Sequence, residues 1–391
     1  MIIYWIWFSL LKDISPTHKR QLLNYYGDPA KLYALDAESI SYAPVSCAPV
    51  LNKDLAEAEQ VLQNCAKFQI GILTFTDSNY PLRLRFLEDA PLVLYYRGTL
   101  PNWEIQPVIG VVGTRNASEY GLRITQKISA EIAACGGLVI SGGAFGVDAQ
   151  ASQGALSQGK PTVAVMACGL NSPQPSANGA LFTQIMACGC LLSEYPPYAK
   201  VFKGNFLQRN RLISGISNGL LVTEAPIVSG SLNTARWAKK QGRDLFAVPG
   251  DIDKSSCSGS NLLIAEGATA VFSGWQIIEN YADYYKLTVQ KDAAIPADTV
   301  ALPQKSGRRA KADKINIDKQ ADSPYIEKAF THTILNEEET SLVAQLTHDP
   351  IPVDLLIDRL DMPVSRILSL ITVLTVKGVV ENHPGRLISL K

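Results

Sequence analysis

The sequence predicts an α/β protein: a doubly wound, mostly parallel sheet flanked by a small N-terminal helical domain and a C-terminal winged-helix domain. Three observations carry that prediction. Between residues 107 and 274 short apolar runs alternate regularly with helical patterns, the repeat of strand and helix that builds a parallel sheet. The glycine- and hydroxyl-rich turns fall at the ends of those runs, the edge at which such sheets present strand ends to a ligand. The chain is also long enough, at 391 residues with 47% apolar and 18% charged, to bury one large core and to divide into two or three domains.

Residues 1–65 read as the helical domain. The opening MIIYWIWFSLL has no basic flank and meets Lys12 and Asp13 after an apolar run too short for a bilayer, so it reads as a core helix and not as an export signal. Turns at Ser15-Pro16, Gly27-Asp28-Pro29 and Ala43-Pro44 punctuate the domain, with Ser15 and Asp36 placed as N-caps. Tyr4, Trp5, Trp7 and Phe8 recur at helical spacing, which assigns them to a core before a base-stacking surface.

Residues 66–285 form the extended, Rossmann-like sheet domain. Strand-like pieces ILTFTD and LVLYYRG, around Tyr80-Pro81, read as an extra layer leading into the main sheet. Strands follow at 108–112, 138–140, 162–167, 190–192, 219–223 and 245–248, with helices near 120–135, 148–158, 177–189, 206–217 and 230–241. Residues 286–335 lose apolar periodicity, carry KSGRRAKADK and read as a linker. Residues 336–391 restore a core: Val364, Ile367, Leu368, Ile371 and Leu374 share one helical face, and VVENHPGRLISL reads as a hairpin turning at His383-Pro384-Gly385.

Several functional classes lack their residues. The 36 basic and 36 acidic side chains cancel, so any nucleic-acid site is a local patch and not a global field. The seven cysteines form no CxxC pair and stand far from the four histidines, which leaves reduced, buried thiols, no metal site and a cytoplasmic location as the expectation. GxGxxG after the first strand, an acidic ribose partner after the second, GxxxxGK[ST] and GxSxG are all missing. Residues 107–274 hold no histidine, so acid–base chemistry there lacks its usual base. Asp148, Glu194, Glu224, Asp251 and Asp253 stand near strand ends, where carboxylates serve as caps or solvated groups as readily as acids. Neither an enzyme nor a cofactor is expected.

What the sheet edge does offer is donors for an anion. Gly113, Thr114 and Arg115 close the first strand and Ser141, Gly142, Gly143 and Gly146 the second, while Ser229, Gly230 and Ser231 precede a helix. Residues 195–223 add Lys200, Lys203, Arg209 and Arg211 with no acid, interleaved with Tyr195, Tyr198, Phe202 and Phe206. Cations tracking a backbone beside aromatic faces for bases is the composition of a single-strand groove.

The runs VGTR, SGGAFGVDAQA, GNFLQRNRLISG, EAPIVSGSLNTARWA and VPGDID resemble the DNA-processing protein A family, also called Smf, of bacterial natural transformation. The likeness covers about residues 70–275, and the N-terminal helices occupy the place of that family's sterile-alpha-motif-like domain. The resemblance implies a non-enzymatic, homodimeric protein that binds incoming single-stranded DNA. It also implies loading of a RecA-type recombinase onto strands otherwise covered by single-strand binding protein. Residue by residue, the family's DNA-binding turn falls on Gly113, Thr114 and Arg115, its helix motif on Asn205, Phe206, Arg209, Asn210 and Arg211, and its Ser-Gly-Ser turn on Ser229, Gly230 and Ser231. Gly143, Phe145, Ser152 and Gln208 depart from the family pattern, removing two cations; Phe145 compensates by stacking if it faces the strand.

Two rivals use the same turns. An enzyme acting on a nucleotide or nucleoside monophosphate, of phosphoribohydrolase type, calls for a PGGxGTxxE turn where this chain reads APIVSGSLNTA. A sensor of a small phosphorylated ligand needs only the donors. The winged helix carries eight acids against five bases from Thr331 to Lys391, with Arg366 and Lys377 alone on its recognition helix. Contact with protein or with the sheet domain, and not with duplex DNA, is the expectation.

Overall fold

The computed structural model describes residues 1–40, 42–288, 335, 337–360, 362–383, 385 and 387–391. The linker expected at 286–335 falls almost wholly outside the described residues.

Nine strands form one sheet: β1 (Gly71–Thr74), β2 (Val93–Gly98), β3 (Val108–Val112), β4 (Leu138–Ser141), β5 (Thr162–Met166), β6 (Cys190–Ser193), β7 (Gly219–Val222), β8 (Asp244–Ala247) and β9 (Thr269–Ala270). Their spatial order is β1-β2-β6-β5-β4-β3-β7-β8-β9. From β6 across to β9 every pairing is parallel, whereas β2 pairs antiparallel with β6 and β1 antiparallel with β2. Every residue of β3 to β7 is buried, because helices cover both faces of a parallel sheet. Alternation within β3 divides the core: Val108 and Val112 face one layer, Ile109 and Val111 the other.

The pieces expected as an extra layer are instead strands in the plane of the main sheet. Burial along both runs comes in blocks, deepest where Leu73 and Thr74 face Leu94 and Val93, and the hydrogen bonds of β2 are met by β1 on one side and β6 on the other. The N-terminal helix Ile2–Leu10 packs Trp5, Ile6, Trp7 and Phe8 into the same continuous core as Leu94, Tyr95 and Leu191. Burying a side chain such as Phe8 stabilises by about 1.5–3 kcal/mol, so these aromatics are structural and not a base-stacking surface. Ser15 and Asp36 cap as expected, accepting the N–H groups of His18 (3.1 Å) and Ser39 (2.8 Å).

The C-terminal module contains helices Glu337–Val343, Val353–Arg359 and Val364–Val376 and a three-stranded sheet of β10 (Ile351–Pro352), β12 (Leu387–Leu390) and β11 (Val380–His383), in that order. It touches the sheet domain at the amino ends of β7 and β8. There Asp354 pairs with Arg243 (3.7 Å, side chains 4% and 2% exposed), and Gly385 of the hairpin turn lies against the ring of Tyr281.

Candidate nucleic-acid interface

The chain leaves β3 towards β4 on one side, and β7 returns to pair with β3 on the other. That reversal opens a crevice over the carboxyl ends of the strands, where doubly wound sheets bind their ligands. Three turns converge on it: residues 113–118 after β3, 142–146 after β4 and 223–230 after β7. Between them lies a cavity of about 570 Å³.

Glu224 holds the first turn. Its backbone carbonyl accepts the Thr114 N–H at 2.7 Å, and its carboxylate accepts the N–H (3.1 Å) and hydroxyl (2.8 Å) of Ser118. Ser118 in turn caps the helix Glu119–Ala134 by accepting the Gly121 N–H at 3.0 Å. The outcome is an exposed Arg115 whose guanidinium carbon sits 4.7 Å from the ring centroid of Phe206, a cation–π stack at the cavity mouth. Phe206 and Lys203 come from the first turns of the helix Lys203–Ile216.

The far wall is built by Ser229, Gly230 and Ser231. Ser229 caps the helix Gly230–Lys240 by accepting the Ser231 N–H at 3.2 Å, and Asn210 donates from Nδ2 to the Gly230 carbonyl at 3.1 Å. An eleven-residue helix therefore points its amino end at the cavity, favouring negative charge.

Ten of the residues predicted from sequence line this one cavity: Gly113, Thr114, Arg115, Lys203, Phe206, Arg209, Asn210, Ser229, Gly230 and Ser231. The remaining six do not. Ser141 is buried and donates its hydroxyl to the Val111 carbonyl at 2.7 Å, while Gly142 packs against Arg209 and Asp148 behind the cavity wall. Asn205 donates to the Ala167 carbonyl at 3.3 Å, tying down the start of its helix. Phe145, 46% exposed, and Lys200, also exposed, stand outside the lining.

Arg209 and Arg211 depart from the expectation of cations tracking a strand. Arg209 is 3% exposed and donates to the Gly142 and Val165 carbonyls beside Asp148. Burial lowers the pKa of the guanidinium and raises that of the Asp148 carboxyl, each charge opposing the shift of the other. Arg211, two positions along the helix, points to the opposite side, where Glu194 and Asp89 (3.3 Å) accept its donors. Residues two apart on a helix cannot share a face. The cations left facing solvent near the cavity are Arg115, Lys203 and Lys200.

Sequence reasoning passed over Glu224 and Asp148 as caps or solvated groups, yet both are buried braces of the turns: Asp148 also accepts the Ala144 N–H at 3.3 Å. Their place directly behind glycine-rich turns was the available signal. Among the described residues no cluster of three or more histidine, cysteine or acidic side chains is arranged to hold a metal ion.

The family model described as DNA recombination-mediator protein A matches residues 71–282, and that of the DprA winged helix domain matches residues 327–386. Protein Smf of Synechocystis sp. is 35% identical over 290 residues, spanning 70% of this chain and 71% of that one. The X-ray structure of DNA processing protein A from Streptococcus pneumoniae superposes with a TM-score of 0.63 at 30% identity, covering 71% of this chain and 98% of that one. DNA processing protein A from Helicobacter pylori, whose structural report concerns its single-stranded DNA binding mode, gives a TM-score of 0.51 at 31% identity over 56% of this chain and 98% of that one. With the family model matching more than half of the sequence and the sheet, the turns and the winged helix all in place, the chain belongs to the DNA recombination-mediator protein A family.

Proposed function

We propose that the protein binds single-stranded DNA across the carboxyl edge of its sheet, without catalysis, and acts as a recombination mediator. The observation that carries the reading is the Arg115–Phe206 stack at the mouth of a cavity faced by a capped helix amino end. A guanidinium held over an aromatic ring offers a phosphate its N–H fork while leaving a planar surface for a base. The single-stranded DNA binding named for the Helicobacter pylori relative supports the same ligand here. Family membership supports the wider role: a homodimer in the cytoplasm that loads a RecA-type recombinase onto strands contested by single-strand binding protein. No helix among the described residues is long and apolar enough to cross a membrane.

The test is a titration with oligonucleotides of increasing length at several salt concentrations, run beside mononucleotides. Affinity is expected to rise with length and fall with salt, and Arg115→Ala to weaken single-strand binding about ten- to a hundredfold, the loss of one charge-assisted contact. Mononucleotide binding of equal affinity, or turnover of a mononucleotide, overturns the reading in favour of a nucleotide enzyme or sensor.

A further inference from the structure

A second cavity, of about 150 Å³, lies where the N-terminal helices meet the sheet domain. It is on the face of the helix Lys203–Ile216 that Arg211 occupies, away from the crevice. Its charged lining is Lys19, Arg211, Asp89 and Glu194, two cations against two carboxylates, among apolar walls that include Leu10, Pro91 and Val93.

The internal pairing is incomplete in a directed way. Arg211 is 5% exposed; Nε faces Asp89 and Nη2 faces Glu194, but Nη1 is buried with no hydrogen-bond partner. Glu194 is left in the same state at Oε1. Lys19 donates from Nζ to the Ser9 carbonyl at 2.7 Å and pairs with no carboxylate among the described residues; burial pushes its ammonium down to about 8. Leaving a buried donor or acceptor of a charged group unmatched incurs the desolvation cost of that group with no bond in return. Arg211 thus lacks an acceptor at Nη1 and Lys19 has no carboxylate among the described residues, while Glu194, paired with Arg211 through Oε2, lacks a donor at Oε1.

A lone anion would satisfy the cations and face Glu194 unmatched. A lone cation would do the reverse. We propose that this cavity binds a small zwitterion of the free α-amino-acid class, its carboxylate on Arg211 Nη1 and Lys19 and its ammonium on Glu194 Oε1. The size agrees, since about 150 Å³ is room for a molecule of benzene's bulk, comparable with alanine or serine.

The experiment uses the full chain and follows thermal unfolding and calorimetric titration with L-alanine, L-serine, acetate and ethylammonium. Saturable stabilisation by an amino acid, with acetate and ethylammonium inert at equal concentration, is expected. Lys19→Gln, on the cavity wall and outside the DNA crevice, should weaken that binding about tenfold or more while single-strand affinity stays unchanged. Because Arg211→Met could perturb folding, Lys19→Gln is the primary variant, and a crystal structure soaked in L-serine provides the second measurement. Ordered water alone on Arg211 Nη1 and Glu194 Oε1 in that crystal overturns the proposal. So does an absence of any amino-acid response, or an equal response to acetate.

Discussion

Single residues decide the crevice through the space they leave empty. Gly146 has φ +71°, and a Cβ there would lie 2.4 Å from the Arg115 carbonyl oxygen and 2.5 Å from that of Thr114. Both objections act on the same turn. Gly146→Ala is therefore expected to destabilise the fold by about 1–2 kcal/mol from backbone strain alone and to displace Arg115. Its single-strand affinity should fall further than its unfolding midpoint suggests; an affinity matching wild type would show that the Arg115 turn tolerates the shift. Arg209 and Arg211 make the complementary point. Both read as solvent-facing cations, yet the protein spends them internally, one bracing the turn after β4 and the other closing the seam beneath the N-terminal helices.

At the scale of elements, the turn after β3 and the helix that follows act as one unit with the turn after β7, joined through Ser118 and Glu224. The Ser118 hydroxyl donates to Glu224 and accepts from Gly121, so its removal takes away a helix cap and one bond to a fully buried carboxylate. Ser118→Ala is predicted to cost about 0.5–2 kcal/mol, read as a lower denaturant midpoint at unchanged slope. Because Thr114 remains bonded to the Glu224 carbonyl, single-strand affinity should change less than in Gly146→Ala. The two variants together separate the stability of the element from the aim of its arginine.

Across the whole molecule, the winged helix and the crevice occupy opposite ends of the strands. The module meets the amino ends of β7 and β8, while the crevice lies over carboxyl ends. Its hairpin turn is engaged by Tyr281, and Asp244 accepts both the Gly385 N–H and the Tyr281 hydroxyl, the latter at 2.7 Å. The recognition helix has its cations matched from within: Arg366 pairs with Glu338 and Lys377 with Glu339. A groove-reading module presents free cations and a free wing to DNA. Duplex binding by the intact chain should accordingly be weak, and deleting residues 336–391 should leave single-strand affinity within about twofold, since no phosphate contact is removed. A sharp loss of duplex binding on that deletion would assign the module to DNA instead. Asp354→Ala removes the ion pair that ties the module to Arg243, whose Nη2 still donates to the Arg83 and Gly215 carbonyls, and hydrogen exchange should show faster opening of β11 and β12 than of the central sheet.

The architecture was legible in local pattern. Apolar runs of strand length alternating with amphipathic helices leave few ways to bury both faces of a parallel sheet, so strands β3 to β8 and the glycine-rich edge were legible from local pattern. The pattern also put the glycine-rich turns on one edge of the sheet, but that the ends of β3, β4 and β7 are neighbours follows from the strand order alone. Local pattern did not reveal β1 and β2 as strands of the same sheet, since edge pairing is a long-range choice of partner. It also left open which charged residues of 195–211 face solvent. Whether Arg209 reaches a phosphate or two carbonyls, and Arg211 a strand or two carboxylates, depends on groups far away in the chain. Only the tertiary structure fixes those distances, and with them whether an arginine is a ligand or a brace.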